Sequence, residues 1–353
     1  MGNTPQTPTP PPQPPSPPPL LTAAVVGDYS RYLASYASLS AANPLVLQTL
    51  DAQGNNILHA ALSCANAEKW GEEGDVLKIL RHVHRTVPPE TLKEMYSHRS
   101  QMGCNPLWIA VAYGNVAAVK HAVEGVVGAG ELLAVPNGQG DTCVIATCSK
   151  GNVSMLEYLQ SSWPGCDSSS FSSFLSKPNS NGTTPIQIAV ANSHLSTLHF
   201  LCSHSPPSSS TLRAKNSAGL TLFHIAAERN FHRGLEHLLS LPDLPLAEAL
   251  ALTDKNGAGC LHVAAFCGNV EAVSTVASLP SATVSLLDTQ DGEGRTAYWL
   301  AMLKGCVEAG RVLRERGVVV EGVVMEREIR ESEGRREEGR RKKEEAKALQ
   351  EER

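Results

Sequence analysis

Aromatic residues make up only 5% of this 353-residue chain, charged residues only 18%, and the formal net charge is −5. A chain so nearly balanced, and on the acidic side, has no general attraction for nucleic acid or for acidic membrane surfaces. No apolar run reaches the ~18 residues that a bilayer span requires, and the proline- and threonine-rich N-terminus lacks the apolar core of a secretory signal. The nine cysteines are scattered, without a C-x-x-C pair or a regular framework. That argues against a disulfide scaffold and for a reducing cytosol or nucleus. Also missing are a G-x-S-x-G elbow, a kinase motif set and an H-E-x-x-H helix. No enzymatic activity, metal or cofactor is expected.

What the chain does contain is repetition. Asp254 to Val273 (DKNGAGCLHVAAFCGNVEAV) combines a glycine turn, a short helix built on Leu261, Ala264 and Ala265, a Gly268–Asn269 break, and a second helix beginning at Val270. Such a unit cannot bury its apolar face alone. The same template places turn glycines at Gly54, Gly103, Gly140, Gly182, Gly219, Gly257 and Gly294. Five residues after each glycine is a variable slot: His59, Trp108, Ile145, Gln187, His224, His262 and Trp299. Two further on is a small residue, from Ala61 to Ala301, with Thr147 the one non-alanine. The helix break falls at Gly114, Gly151, Ser193, Asn230, Gly268 and Gly305, and in the first copy is displaced to Gly74 by an insertion around Glu68 to Glu73.

GTTPIQIAV at Gly182, GLTLFHIAA at Gly219, GAGCLHVAA at Gly257 and GRTAYWLAM at Gly294 resemble the ankyrin-repeat signature, GxTPLHxAA. The resemblance covers roughly residues 21 to 315. It departs in two respects: proline survives only as Pro106 and Pro185, and the spacings between turn glycines (49, 37, 42, 37, 38 and 37) exceed the family's period. The apolar residues in the surplus, as in LPSATVSLLDTQ, predict an extra helical turn before each finger. The resemblance implies an all-α ankyrin-repeat solenoid of helix-turn-helix units with β-hairpin fingers. Residues 20–320 would form an N-terminal cap plus seven repeats, flanked by a disordered proline-rich arm at 1–19 and a charged, partly helical or disordered tail at 321–353.

The arm holds ten prolines in residues 1–19, a composition suited to polyproline II. It reads as a solubilising linker or as a ligand for SH3, WW, EVH1 or profilin-type grooves. Gly2 does not make a myristoylation site, because Gln6 stands where serine or threonine is needed. Residues 326–353 carry ten acidic and ten basic side chains, so the glutamates in RREEGRRKK offset its use as an import or nucleic-acid signal. The serine-rich stretches SSWPGCDSSSFSSFLSKP and SHSPPSSSTL read as surface loops. GVVGAG at Gly125 reads as a link between repeats, since no Lys-Ser/Thr follows it.

The resemblance also implies that His59, His224 and His262 are structural, with each imidazole hydrogen-bonding backbone near the neighbouring finger. Cys143, Cys148, Cys260 and Cys267 read as small apolar fillers. The surface left for function is the concave face, made of first-helix ends and fingertips. Carried onto this sequence, its residues are Tyr113, Lys150, Asn192, Glu228, Arg229, Phe266, Cys267 and Lys304 at helix ends, with Asp141, Lys255 and Arg295 at fingertips. The expected function is non-catalytic protein binding by a monomeric adaptor or scaffold. The alternatives are an inhibitory subunit that occludes an enzyme or transcription factor, and the binding portion of a larger enzyme.

Overall fold

The computed structural model describes residues 19–41, 43, 45–65, 69, 74–162, 168–241, 250–278 and 284–316. The charged tail lies outside these residues, as does the proline-rich arm except Pro19. So do Trp70 and most of the insertion in the first repeat. The described chain is helical, and its only β-structure is two isolated antiparallel bridges, Thr253 with Gly259 and Gln290 with Thr296. The expected hairpin fingers are therefore tight turns rather than laddered strands. No described helix is long and apolar enough to cross a membrane.

The described residues form two compact units, one within 19–143 with 161–162, the other within 144–160 and 168–316. The first opens with helices Pro19–Val26 and Tyr29–Ser40, joined by Gly27, and Asp28 caps the second by accepting from the Arg31 N–H at 2.9 Å. Ser30 and Arg31 are exposed. The helices Ile57–Leu62 and Asp75–Thr86 follow, then Pro89–Ser97, Pro106–Tyr113 and Val116–Gly125. Gly74 is not a left-handed break. Its φ of −68° makes it an ordinary extended N-cap, because the insertion has already separated the two helices of that repeat.

In the second unit the helix pairs are Cys143–Lys150 (from Val144 onward) with Val153–Ser162 (as far as Gln160), then Pro185–Ala191 with Leu195–His204, and Leu222–Glu228 with His232–Leu239. Cys260–Cys267 with Val270–Ala277 and Ala297–Lys304 with Val307–Glu315 complete it. The small residue seven positions after each turn glycine is completely buried in every repeat, Ala61, Ala110, Thr147, Ala189, Ala226, Ala264 and Ala301 all at 0% exposure. A larger side chain there would hold neighbouring first helices apart, which is why the position stays small. The break positions are left-handed even without glycine, at φ 58° for Ser193 and 53° for Asn230.

The surplus between repeats forms the predicted extra turns, including a 3-10 segment at Ala129–Ala134 and a helix at Val284–Leu287. The two serine-rich stretches, expected as loops, are partly helical among the described residues, while 205–208 carry no helix. Ser168–Ser176 and Ser209–Arg213 are helical, because Phe171 and Leu175, one helical turn apart, are buried together, as is Leu212. Burial of these apolar side chains outweighs the weak helix propensity of serine.

Candidate protein-interaction surface

Each finger is held by its own backbone. The residue three before the turn glycine donates to the carbonyl just past it and accepts from the glycine N–H, as in Asp254 N–H to Ala258 O at 2.8 Å and Gly257 N–H to Asp254 O at 3.3 Å. In six of the seven fingers that residue is aspartate or asparagine, whose Oδ1 accepts two further N–H groups; Asp291, for instance, takes those of Glu293 and Arg295, both at 2.9 Å. Ser100 is the exception. The sequence reading missed this element, although Asp51, Asn137, Asn179, Asn216, Asp254 and Asp291 stand in plain register before the glycines. Neighbouring fingertips then bond to each other, Gly138 N–H to Met102 O at 3.0 Å and Gly292 N–H to Asn256 O at 2.8 Å. A Cβ on Gly103 would lie 2.5 Å from the Gly138 nitrogen and one on Gly257 2.6 Å from that of Gly292, so here glycine serves both the turn and the close approach.

The variable slot reaches from one repeat to the next. His59 Nε2 donates to Cys104 O at 3.0 Å, Trp108 Nε1 to Asp141 O at 2.8 Å, His224 Nε2 to Ala258 O at 2.9 Å and His262 Nε2 to Arg295 O at 3.1 Å. Gln187 does the same to Ala214 O at 3.0 Å, a carbonyl before the finger rather than in it. In His224 and His262 the other nitrogen accepts, Nδ1 of His224 from the Thr221 hydroxyl at 2.7 Å and that of His262 from Gly259 N–H at 3.2 Å. With one nitrogen donating and the other accepting these two rings are neutral; burial lowers the pKa of both and pulls that of His59 down to about 4. No group of three or more metal-ligating side chains occurs among the described residues.

The fingertip candidates are built into this framework. Arg295 pairs with Asp291 at 2.8 Å and Glu293 at 2.7 Å, and its guanidinium lies 5.7 Å from the Trp299 ring centre. The ammonium of Lys255 is bound to the Ser217 carbonyl, and Asp141 is half-buried with its carbonyl on Trp108.

The helix-end candidates differ. Tyr113, in the first unit, is 44% exposed. In the second unit Lys150, Asn192, Glu228, Arg229, Phe266, Cys267 and Lys304 are all exposed. Asn192 folds its amide back onto the Ile188 carbonyl at 3.0 Å. Phe266 is 44% exposed and carries the Lys304 ammonium 4.1 Å above its ring centre, a cation–π contact. Cys267 lies beside it, its thiol pKa raised by partial burial and by the Glu228 carboxylate. The structure thus brings Glu228, Phe266, Cys267 and Lys304 together. Cys267 is no buried filler, unlike Cys143, Cys148 and Cys260. Nor is either Cys148 or Cys267 activated, since the pKa of both is raised.

Residues 107–210 match a family model of ankyrin repeats, in three copies. The same finger and slot geometry recurs on both sides of that span, at residues 51–59, 216–224 and 254–262. No curated protein matches the chain.

Proposed function

The chain is an ankyrin-repeat protein, and on that premise we propose that it is a non-catalytic adaptor or scaffold that binds a protein partner along its first-helix ends. The observation that carries this reading is Phe266, a large aromatic left 44% exposed and topped by Lys304 in a chain with few aromatics. Aromatic side chains are enriched at protein interfaces relative to the rest of the surface. The fingertip residues Arg295, Lys255 and Asp141 contribute through the shape they maintain, since their side chains or carbonyls are already engaged.

A photo-crosslinking residue placed at Phe266 in the full chain, against one at exposed Glu236 on a second helix, tests the surface. Protein adducts from the first position and not the second are expected; adducts from Glu236 alone would overturn the assignment. The adaptor role adds that residues 1–19 recruit a second partner of the SH3, WW, EVH1 or profilin type. A chain lacking those residues should keep the crosslinks at Phe266 and lose the second partner. Loss of neither would remove the bridging role.

A further inference from the structure

The helix-end position ten residues after each turn glycine reads Lys150, Asn192, Arg229, Cys267 and Lys304 through the successive repeats of the second unit. Cations thus occupy alternate rungs. All three are exposed, and none forms an ion pair with a described carboxylate. Phe266 sits at the preceding position on the rung between Arg229 and Lys304, and Glu228 is the single anion in the row. In a chain of net charge −5, this face is locally basic with one aromatic at its centre.

We propose that this row takes an extended acidic peptide segment with one apolar side chain, a partner class that rests on the interaction surface proposed above. Packed helices lie about 8–10 Å apart, so alternate rungs are separated by roughly 20 Å. An extended chain covers that in about six residues, at about 3.3 Å each. The segment therefore carries acidic residues about six apart, and an apolar residue between two of them rests on Phe266, where the Lys304 ammonium draws the following carboxylate close. Three cations over roughly 40 Å are too sparse for nucleic acid, whose duplex carries a charge about every 1.7 Å. The Glu228 carboxylate stands one position before Arg229 on the middle rung and offsets part of its pull, so the pairing there is the weakest of the three.

The test uses the full chain and fluorescein-labelled Gly-Ser peptides bearing three glutamates about six residues apart, with or without a leucine between the second and third. The leucine peptide should bind with a Kd of order micromolar and weaken with salt. The double reversal R229E/K304E should weaken binding about tenfold or more, and E228Q should tighten it about twofold. F266A should bring the leucine peptide to the level of its leucine-free counterpart. Unchanged far-UV circular dichroism and thermal transition are expected for all these exposed sites, so weakened binding is not unfolding. Equal binding of a peptide with lysine in place of glutamate, indifference to R229E/K304E, or tighter binding of single-stranded polyuridylate would each overturn the proposal. Crosslinks from Phe266 without any glutamate-peptide binding would reject the acidic partner and leave the interaction surface standing; loss of both would reject the two together.

Discussion

Asn115 and Asn269 occupy the same place in their repeats, one residue after the left-handed glycine that ends the first helix. In the second unit, the Asn269 amide donates to the carbonyls of Ala227 and Glu228, at 2.7 and 2.9 Å, and so closes the exposed end of the preceding repeat's helix. In the first unit, Asn115 caps its own helix, accepting from the Ala118 N–H at 3.0 Å, but its amide nitrogen is buried with no partner. The difference lies in the repeat before. Leu222–Glu228 runs on to present its last carbonyls, whereas Ile57–Leu62 ends sooner and leads into the inserted link. One identical residue is thus a stabilising bridge in a regular array and an unsatisfied donor where the array is interrupted.

Acid should separate the two units most strongly. Burial holds His59 at about 4 in the first unit, and burial together with the stacked His121 ring, 4.8 Å away, holds His84 at about 4. Both are depressed below the unfolded value of 6.5, so the unfolded chain binds the proton first. Their contribution is complete above pH 6.5 and is lost as the pH falls toward 4. For His59 alone that is about 3 kcal/mol. Amide exchange in Ile57–Leu62 is expected to accelerate before that in Cys260–Cys267 as pH is lowered from 7 to 4. Simultaneous loss, or earlier loss of the second helix, would refute the ranking.

A smaller contrast tests the fingers. Gly257→Ala pushes a Cβ to 2.6 Å from the Gly292 nitrogen and should cost about 3 kcal/mol or more in urea unfolding. Gly54→Ala meets nothing nearer than 3.6 Å and should cost only the left-handed backbone, about 1–2 kcal/mol. Equal costs would mean that the close approach of fingertips contributes nothing. The smallest contrast returns to the two asparagines. Asn269→Ser should lose about 1 kcal/mol, while Asn115→Ser, which keeps a capping oxygen and removes the orphan donor, should stay within about 0.5 kcal/mol of the parent. If both fall equally, the Asn115 amide has a partner in solution.

Much of the fold was legible because its strictest positions tolerate few residue types. Left-handed turns mark themselves with glycine, and close helix approach marks itself with alanine, so seven copies could be aligned without a single contact being known. The serine-rich helices were hidden because serine is a poor helix former, and Phe171 and Leu175 were a weak signal beside so many polar neighbours. Arg295 looked like a free surface cation for a similar reason. Its partners, Asp291 and Glu293, are adjacent in sequence, but only the turn folds them back onto it.

Local chemistry alone determined the repeat, its caps and the slot that histidine, tryptophan and glutamine share, since each depends on residues a few positions apart. The tertiary fold decided which carbonyl that slot finds, whether an asparagine bridges or is stranded, and which helix ends keep their side chains exposed. Those outcomes depend on the neighbouring repeat, some forty residues away in sequence, and a local pattern holds no information about where that neighbour stops.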